Sequence, residues 1–260
     1  MMPSLATTSE GTRTSRSALH GSQEESGPGG PRSGTYAERR SSLEHYFDRT
    51  ALDAWAQLTG DAPVSKIRAT VRAGRDRMRG VLLSWLPNDL TGRRVLDAGC
   101  GTGALAVEAA RRGAEVVAID VAAGLIDIAR ERTPADLGRG RIDFVAGDFL
   151  DPALGRFDHV VAMDSLIHYR TEDVLLALRS LAQRTTGSVV FTVTPRTVPL
   201  TLMLAAGKLF PRADRAPSIA PADLAGLRRR LIGLPGLTLG REETVSGGFY
   251  TSHAMELVRS

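Results

Sequence analysis

Apolar positions along this chain recur in two rhythms. From Ser41 they fall at helical spacing: Leu43, Tyr46, Phe47, Leu52, Trp55 and Leu58 form a stripe interrupted near Asp48–Thr50, which predicts two short helices. A longer helix is expected over about Val64–Leu86, opening after Pro63 and stopped by Pro87. Beyond it the rhythm changes to short apolar runs separated by helical segments. Strands are expected at Val95–Leu96 closed by Asp97, then at Glu115–Asp120, Ile142–Asp148, Phe157–Asp164 and Ser188–Thr194. Helices should open at Ala104 and cover Leu125–Arg132 and Glu172–Gln183. Apolar strands alternating with helices pair in parallel through right-handed crossovers, so the fold class is α/β with a doubly wound sheet. Near the end, Leu237–Glu242 and Met255–Val258 read as strands joined through Ser246-Gly247-Gly248. A short loop between two strands implies an antiparallel hairpin.

Two stretches stand outside both rhythms. Residues 1–40 are rich in Ser, Thr, Gly and Arg and carry too few large apolar side chains to offset ordering entropy, which predicts a disordered tail. Pro195–Pro221 forms a long insertion whose middle, Leu200–Phe210, is apolar but too short to span a bilayer. The expected organisation is therefore a tail at 1–40, helices at 41–92, a core at 93–194, an insertion at 195–222, and a closing helix and hairpin at 223–260. Composition agrees with one domain and an appendage: 260 residues, 42% hydrophobic and 24% charged. No stretch approaches the ~20 continuous apolar residues of a membrane-spanning helix. A single cysteine, Cys100, leaves no disulfide framework and no cysteine metal site, and a reducing, cytoplasmic compartment is expected. The net charge of +4 is too small to imply nucleic acid; it suits an anionic small molecule or an anionic membrane surface.

The candidate chemistry is concentrated at Arg93–Gly103, R-R-V-L-D-A-G-C-G-T-G. Strand, glycine turn and helix N-terminus make a nucleotide site. A dinucleotide fingerprint reads G-x-G-x-x-G, whereas Gly99, Gly101 and Gly103 give G-x-G-x-G behind Asp97. A carboxylate there repels a pyrophosphate and suits a ligand with a cationic amino-acid end, such as S-adenosylmethionine (SAM). Acids close four strands, Asp97, Asp120, Asp148 and Asp164, where an open α/β sheet binds its ligands. Each taken singly is also a reasonable helix cap. On the long helix Arg68, Arg72, Arg75 and Arg79 share one stripe, either a solvated face or an anion grip.

The segment D-A-G-C-G-T-G resembles motif I of the class I SAM-dependent methyltransferases, a Rossmann-like fold of seven strands with the last antiparallel. That resemblance implies that Asp97 lies near the methionine end and that Asp120, with Val121, takes the ribose. It further implies that Asp148 and Phe149 read the adenine, that Met163 and Asp164 line the methionyl side, and that S-adenosylhomocysteine (SAH) is the product. Further segments resemble the bacterial magnesium protoporphyrin IX methyltransferases of bacteriochlorophyll synthesis. These are Y-F-D-R-T-A-L-D-A-W (Tyr46–Trp55), I-R-A-T-V-R-A-G-R (Ile67–Arg75), M-D-S-L-I-H-Y-R (Met163–Arg170), L-F-P-R-A-D-R-A-P (Leu209–Pro217) and G-F-Y-T-S (Gly248–Ser252).

This resemblance implies methyl transfer from SAM to one propionate of Mg-protoporphyrin IX, with His168 and Tyr46 serving productive substrate binding. A packed or capping role is the alternative for His168. Arginines of the stripe that reach the site, Arg68, Arg72 or Arg75, are expected to hold the non-reacting propionate, and Tyr250 to reach the site's rim. The insertion is expected to cover the macrocycle or to touch a membrane. The family is also associated with magnesium chelatase, which delivers the substrate, and with membranes. Rival readings are another small-molecule methyltransferase, a non-catalytic SAM-binding adaptor and, disfavoured by the glycine spacing, an NAD-dependent oxidoreductase. No protein-bound metal is expected.

Overall fold

The computed structural model describes residues 34–60, 63–196 and 219–259. Most of the expected tail and of the 195–222 insertion lies outside these residues. Seven strands form one sheet: β1 (Arg94–Ala98), β2 (Glu115–Asp120), β3 (Arg141–Ala146), β4 (Phe157–Ala162), β5 (Thr185–Val193), β6 (Leu237–Gly247) and β7 (Tyr250–Arg259). Their order is β3-β2-β1-β4-β5-β7-β6. The first five pair in parallel and β7 lies antiparallel between β5 and β6. The order reverses between β1 and β4, which places the switch point, and hence the ligand crevice, beside Asp97 and Met163.

Central strands are apolar on both faces because helices cover both: Val95, Leu96, Ala98, Val160, Val161 and Ala162 are fully buried. On one face Met78 and Leu82 of α3 (Lys66–Ser84) and Leu105, Ala106 and Ala109 of α4 (Ala104–Arg111) pack on the sheet. On the other lie Leu175 and Leu178 of α6 (Thr171–Gln183) with Leu227 and Leu231 of α7 (Leu224–Ile232). The crossover helix α5 (Ala123–Arg132) packs on β2 and β3.

Several boundaries differ from expectation for physical reasons. The expected tail ends too late: α1 spans Gly34–His45, and its Tyr36 and Leu43 are buried on one face. Two apolar residues seven apart are too sparse to show as periodicity. The helix is anchored by polar contacts, Thr35 Oγ1 to Asp173 at 2.8 Å and the Tyr36 hydroxyl to Asp148 at 2.9 Å. At the expected break, Tyr46–Thr50 is one π-helical turn before α2 (Leu52–Thr59). It turns Asp48 onto the N-terminus of α5, where the carboxylate accepts from Gly124 N–H at 2.9 Å.

Strand β4 stops at Ala162 because Asp164 takes a left-handed backbone, φ 52°. Strand β3 stops at Ala146, and Asp148 instead holds a turn by accepting from Leu150 N–H at 2.9 Å. Strand β5 begins at Thr185, since an irregularity in β4 between Phe157 and His159 lets Thr-Thr-Gly continue the ladder. The hairpin is longer than expected: β6 is an edge strand with mostly exposed side chains, so its polar stretch shows no core-facing alternation.

Candidate active site

At the carboxyl ends of β1 and β2 the glycine turn is built as its spacing requires. Gly99, Gly101 and Gly103 have φ of 83°, 55° and 81°. A Cβ on Gly99 would stand 2.3 Å from Ser165 Cβ, so the turn and the segment after β4 abut directly. Asp97 lies under this turn, 1% exposed, and its Oδ2 has no partner. Burial, with the nearby Asp120 adding to it, pushes its pKa up to about 7, against which one backbone hydrogen bond from Ala106 acts. An orphaned acid beneath a glycine turn fits a ligand with an ammonium end. Asp120 accepts from Gly101 N–H at 2.9 Å and Ala122 N–H at 3.0 Å. Burial raises its pKa while those two donors lower it. Burial also raises the Cys100 thiol, so this cysteine is no activated nucleophile.

Above the turn opens one cavity of about 380 Å³. Over the turn it is lined by Gly99, Gly101, Asp120, Val121, Phe149 and Met163. The N-terminal helices and the aromatic cluster roof it: Phe47 meets Tyr46 at 5.2 Å, Trp55 at 5.6 Å and His168 at 6.0 Å between ring centroids. Trp55 Nε1 lies 3.3 Å from where a Gly101 Cβ would stand, so α2 closes directly over the turn. Both Tyr46 and His168 line the cavity, and burial raises the Tyr46 phenol. Phe249 and Tyr250 of the hairpin tip complete the far wall, with Thr194 and Ile219 where the insertion leaves and returns. Those two ends are tied together by Pro195 pairing with Ala222.

The structure divides the arginine stripe. Arg68 stands at the cavity, exposed, with no carboxylate of the described residues paired to it. Arg75 also lines the cavity but is paired with Asp164 at 2.8 Å. Arg72 does not line the cavity among the described residues: it donates to the carbonyls of Leu58 at 2.9 Å and Gln57 at 2.7 Å, fastening α2 to α3. Arg79 pairs with Asp76 on its own helix at 2.9 Å. A stripe read from sequence cannot distinguish these fates, because each depends on which neighbour faces the helix.

Asp148 is not among the residues that line the cavity. Its Oδ1 takes the Tyr36 hydroxyl, and the carboxylate stands behind the cavity wall while Phe149 lines it. Tyr36 itself stacks on Tyr169, 5.0 Å between centroids. On this side the cavity is walled by Leu43, Val121, Phe149 and Tyr169. Leu43 is the α1 contribution, and no motif marks it.

Reversed strand order, glycine turn and strand-end acids together define a class I SAM-dependent methyltransferase. A methyltransferase-domain family model matches residues 95–186, and the model for the magnesium-protoporphyrin IX methyltransferase C-terminus matches residues 162–259. The magnesium-protoporphyrin O-methyltransferase of Rhodobacter capsulatus is 54% identical over 222 residues, 85% of this chain and 97% of the relative. Its counterpart from Synechocystis is 30% identical over 226 residues, 85% of this chain and 96% of the relative. The crystal structure of magnesium protoporphyrin IX methyltransferase from Synechocystis with bound SAH aligns with a TM-score of 0.74 at 29% identity. It covers 85% of this chain and 99% of that one. The chain belongs to the magnesium-protoporphyrin O-methyltransferase family.

Proposed function

We propose that this protein transfers the methyl group of SAM to one propionate carboxylate of Mg-protoporphyrin IX, giving the monomethyl ester. The observation that carries the reading is a single cavity running from the glycine turn to an aromatic-lined mouth, with Arg68 at its rim paired to no carboxylate among the described residues. When bound, SAM supplies a methyl on sulfonium; the carboxylate oxygen bonds to that carbon as the carbon–sulfur bond breaks, the electron pair staying on sulfur.

No proton moves, because a propionate with a pKa near ~4.3 is already ionised at neutral pH. The protein therefore needs to orient and to exclude water rather than to supply a base. Asp97 faces the ammonium end, Asp120 the ribose hydroxyls, and Val121, Phe149 and Met163 the flat and methionyl surfaces. Tyr46 and His168 hold the macrocycle at the roof. Arg68 binds the non-reacting propionate, where tight pairing does not stabilise the reacting group.

Two parts of this reading concern partners. The insertion, most of it outside the described residues, either covers the macrocycle or touches an anionic membrane surface, and magnesium chelatase is the donor of the porphyrin. Incubation with SAM and Mg-protoporphyrin IX, followed by mass analysis, tests the function. A porphyrin gaining one methyl is expected; SAM binding by calorimetry without a methylated product would make the chain a SAM-binding adaptor instead.

A further inference from the structure

Asp164 is the one non-glycine residue with left-handed φ among the described residues, at 52°. Its carboxylate is 5% exposed and accepts from Arg75 Nη1 at 2.8 Å, the Tyr250 hydroxyl at 3.1 Å and the Ser252 hydroxyl at 3.1 Å. The Thr192 hydroxyl bridges its backbone N–H at 2.7 Å and its Oδ1 at 3.2 Å. A conformation costing about 1 kcal/mol or more persists only where its surroundings fix it, and such positions cluster at functional sites. What this one fixes is Arg75. The guanidinium is held by Asp164 on one side and lies 4.8 Å over the Trp55 ring on the other. Trp55 in turn covers Gly101. Arg75 is therefore at the glycine-turn end of the cavity, about 10.5 Å along the helix from Arg68.

The reaction makes conflicting demands on that place. The reacting carboxylate must be oriented, which favours the planar fork of an arginine. Yet its charge disappears in the transition state, so a full cation bound to it stabilises the reactant more and slows the step. An arginine balanced by a buried carboxylate meets both demands: it keeps directional N–H donors and loses most of its net field.

We propose that Arg75 orients the reacting propionate and that Asp164 is a positioning residue that holds Arg75 and attenuates its charge. Arg68 is left to bind the second propionate. The inference rests on the substrate reading above.

Asp164→Asn is the direct test, since Asn tolerates left-handed backbone and its carbonyl can still accept from Tyr250, Ser252 and Thr192. With Arg75 no longer balanced, Mg-protoporphyrin should bind more tightly in the presence of SAH while kcat falls, each by roughly 5- to 10-fold. Arg75→Gln should weaken binding, because a lone Asp164 then faces an anionic substrate. The double variant, which is neutral at both positions, should bind porphyrin more tightly than R75Q; lacking the guanidinium, it should not regain wild-type turnover. That last comparison carries the test if D164N alone does not fold.

Weaker porphyrin binding by D164N, a fall in kcat at unchanged affinity, or a double variant that binds no better than R75Q would overturn the inference. Failure of the wild-type protein to methylate Mg-protoporphyrin would instead remove the substrate reading beneath it.

Discussion

If Asp97 receives the ammonium end of the cofactor as proposed, cofactor binding should depend on pH. In the folded, ligand-free chain Asp97 has a pKa of about 7, against 3.8 for an ordinary aspartate. A raised folded value means that the fold favours the neutral acid. Between the two values the unfolded chain releases this proton and the folded chain keeps it, so stability falls as pH rises through that window and levels off above about 7. At 1.36 kcal/mol per unit, this single group costs on the order of 4 kcal/mol at alkaline pH relative to acid.

An ammonium docked on the turn reverses the preference. SAH binding at about pH 6 should therefore release close to one proton, and at about pH 8 almost none, with affinity rising between them by up to about tenfold per unit. Calorimetry of SAH binding in buffers of different ionisation enthalpy reads that proton directly. In Asp97→Asn the released proton should vanish, the loss of apo stability across the window should flatten, and SAH affinity should drop by about 1.5–3 kcal/mol. Buffer-independent enthalpy near pH 6, or an unchanged pH profile in the Asn variant, would refute the assignment of this proton to Asp97.

Three further outcomes are expected. Gly74→Ala places a Cβ 2.4 Å from Tyr250 Cδ1; overpacking of about 1–3 kcal/mol should outweigh the gain in helix propensity of about 1 kcal/mol. Thermal denaturation should show a lower Tm, and a rise would contradict the contact. Arg68→Ala should raise KM for Mg-protoporphyrin more than it lowers kcat, and should hardly affect a porphyrin whose second propionate is esterified; a collapse confined to kcat would place Arg68 on the reacting group instead. Tyr36→Phe removes the donor to Asp148 and should cost about 1–2 kcal/mol in denaturant titration, whereas an unaffected midpoint would show that the hydrogen bond adds nothing net.

The parts of this protein that were legible in its sequence are those that depend on neighbours along the chain. Strand β2 was read to both ends, since its Val-Val-Ala-Ile run is apolar and bounded by Glu115 and Asp120. The glycine turn was equally local, because positive φ is a property of the residue itself. Edge and junction features were not. The helix α1 has only Tyr36 and Leu43 on its buried face, and the outer part of β6 has little burial to report. Asp164 reads as a strand residue until its φ is seen, because nothing in M-D-S announces a left-handed turn.

The same distinction explains why the cofactor half of the site was more accessible than the substrate half. Asp97, Gly99 and Gly101 lie within five residues, and Asp120 follows one crossover later. The far wall joins α3 to the tip of β6 and β7 through Tyr250 packing on Gly74, residues 176 apart in the chain. Charge on such a wall is decided by packing rather than composition. Four arginines in one helical stripe looked equivalent, yet Arg72 bonds to carbonyls of α2, Arg79 pairs with its own helix, Arg75 meets Asp164, and Arg68 meets no carboxylate among the described residues. Periodicity can set a residue's direction within about one face of a helix. It cannot say whether an acid waits there, and for a reaction that consumes a negative charge that acid determines what the arginine does.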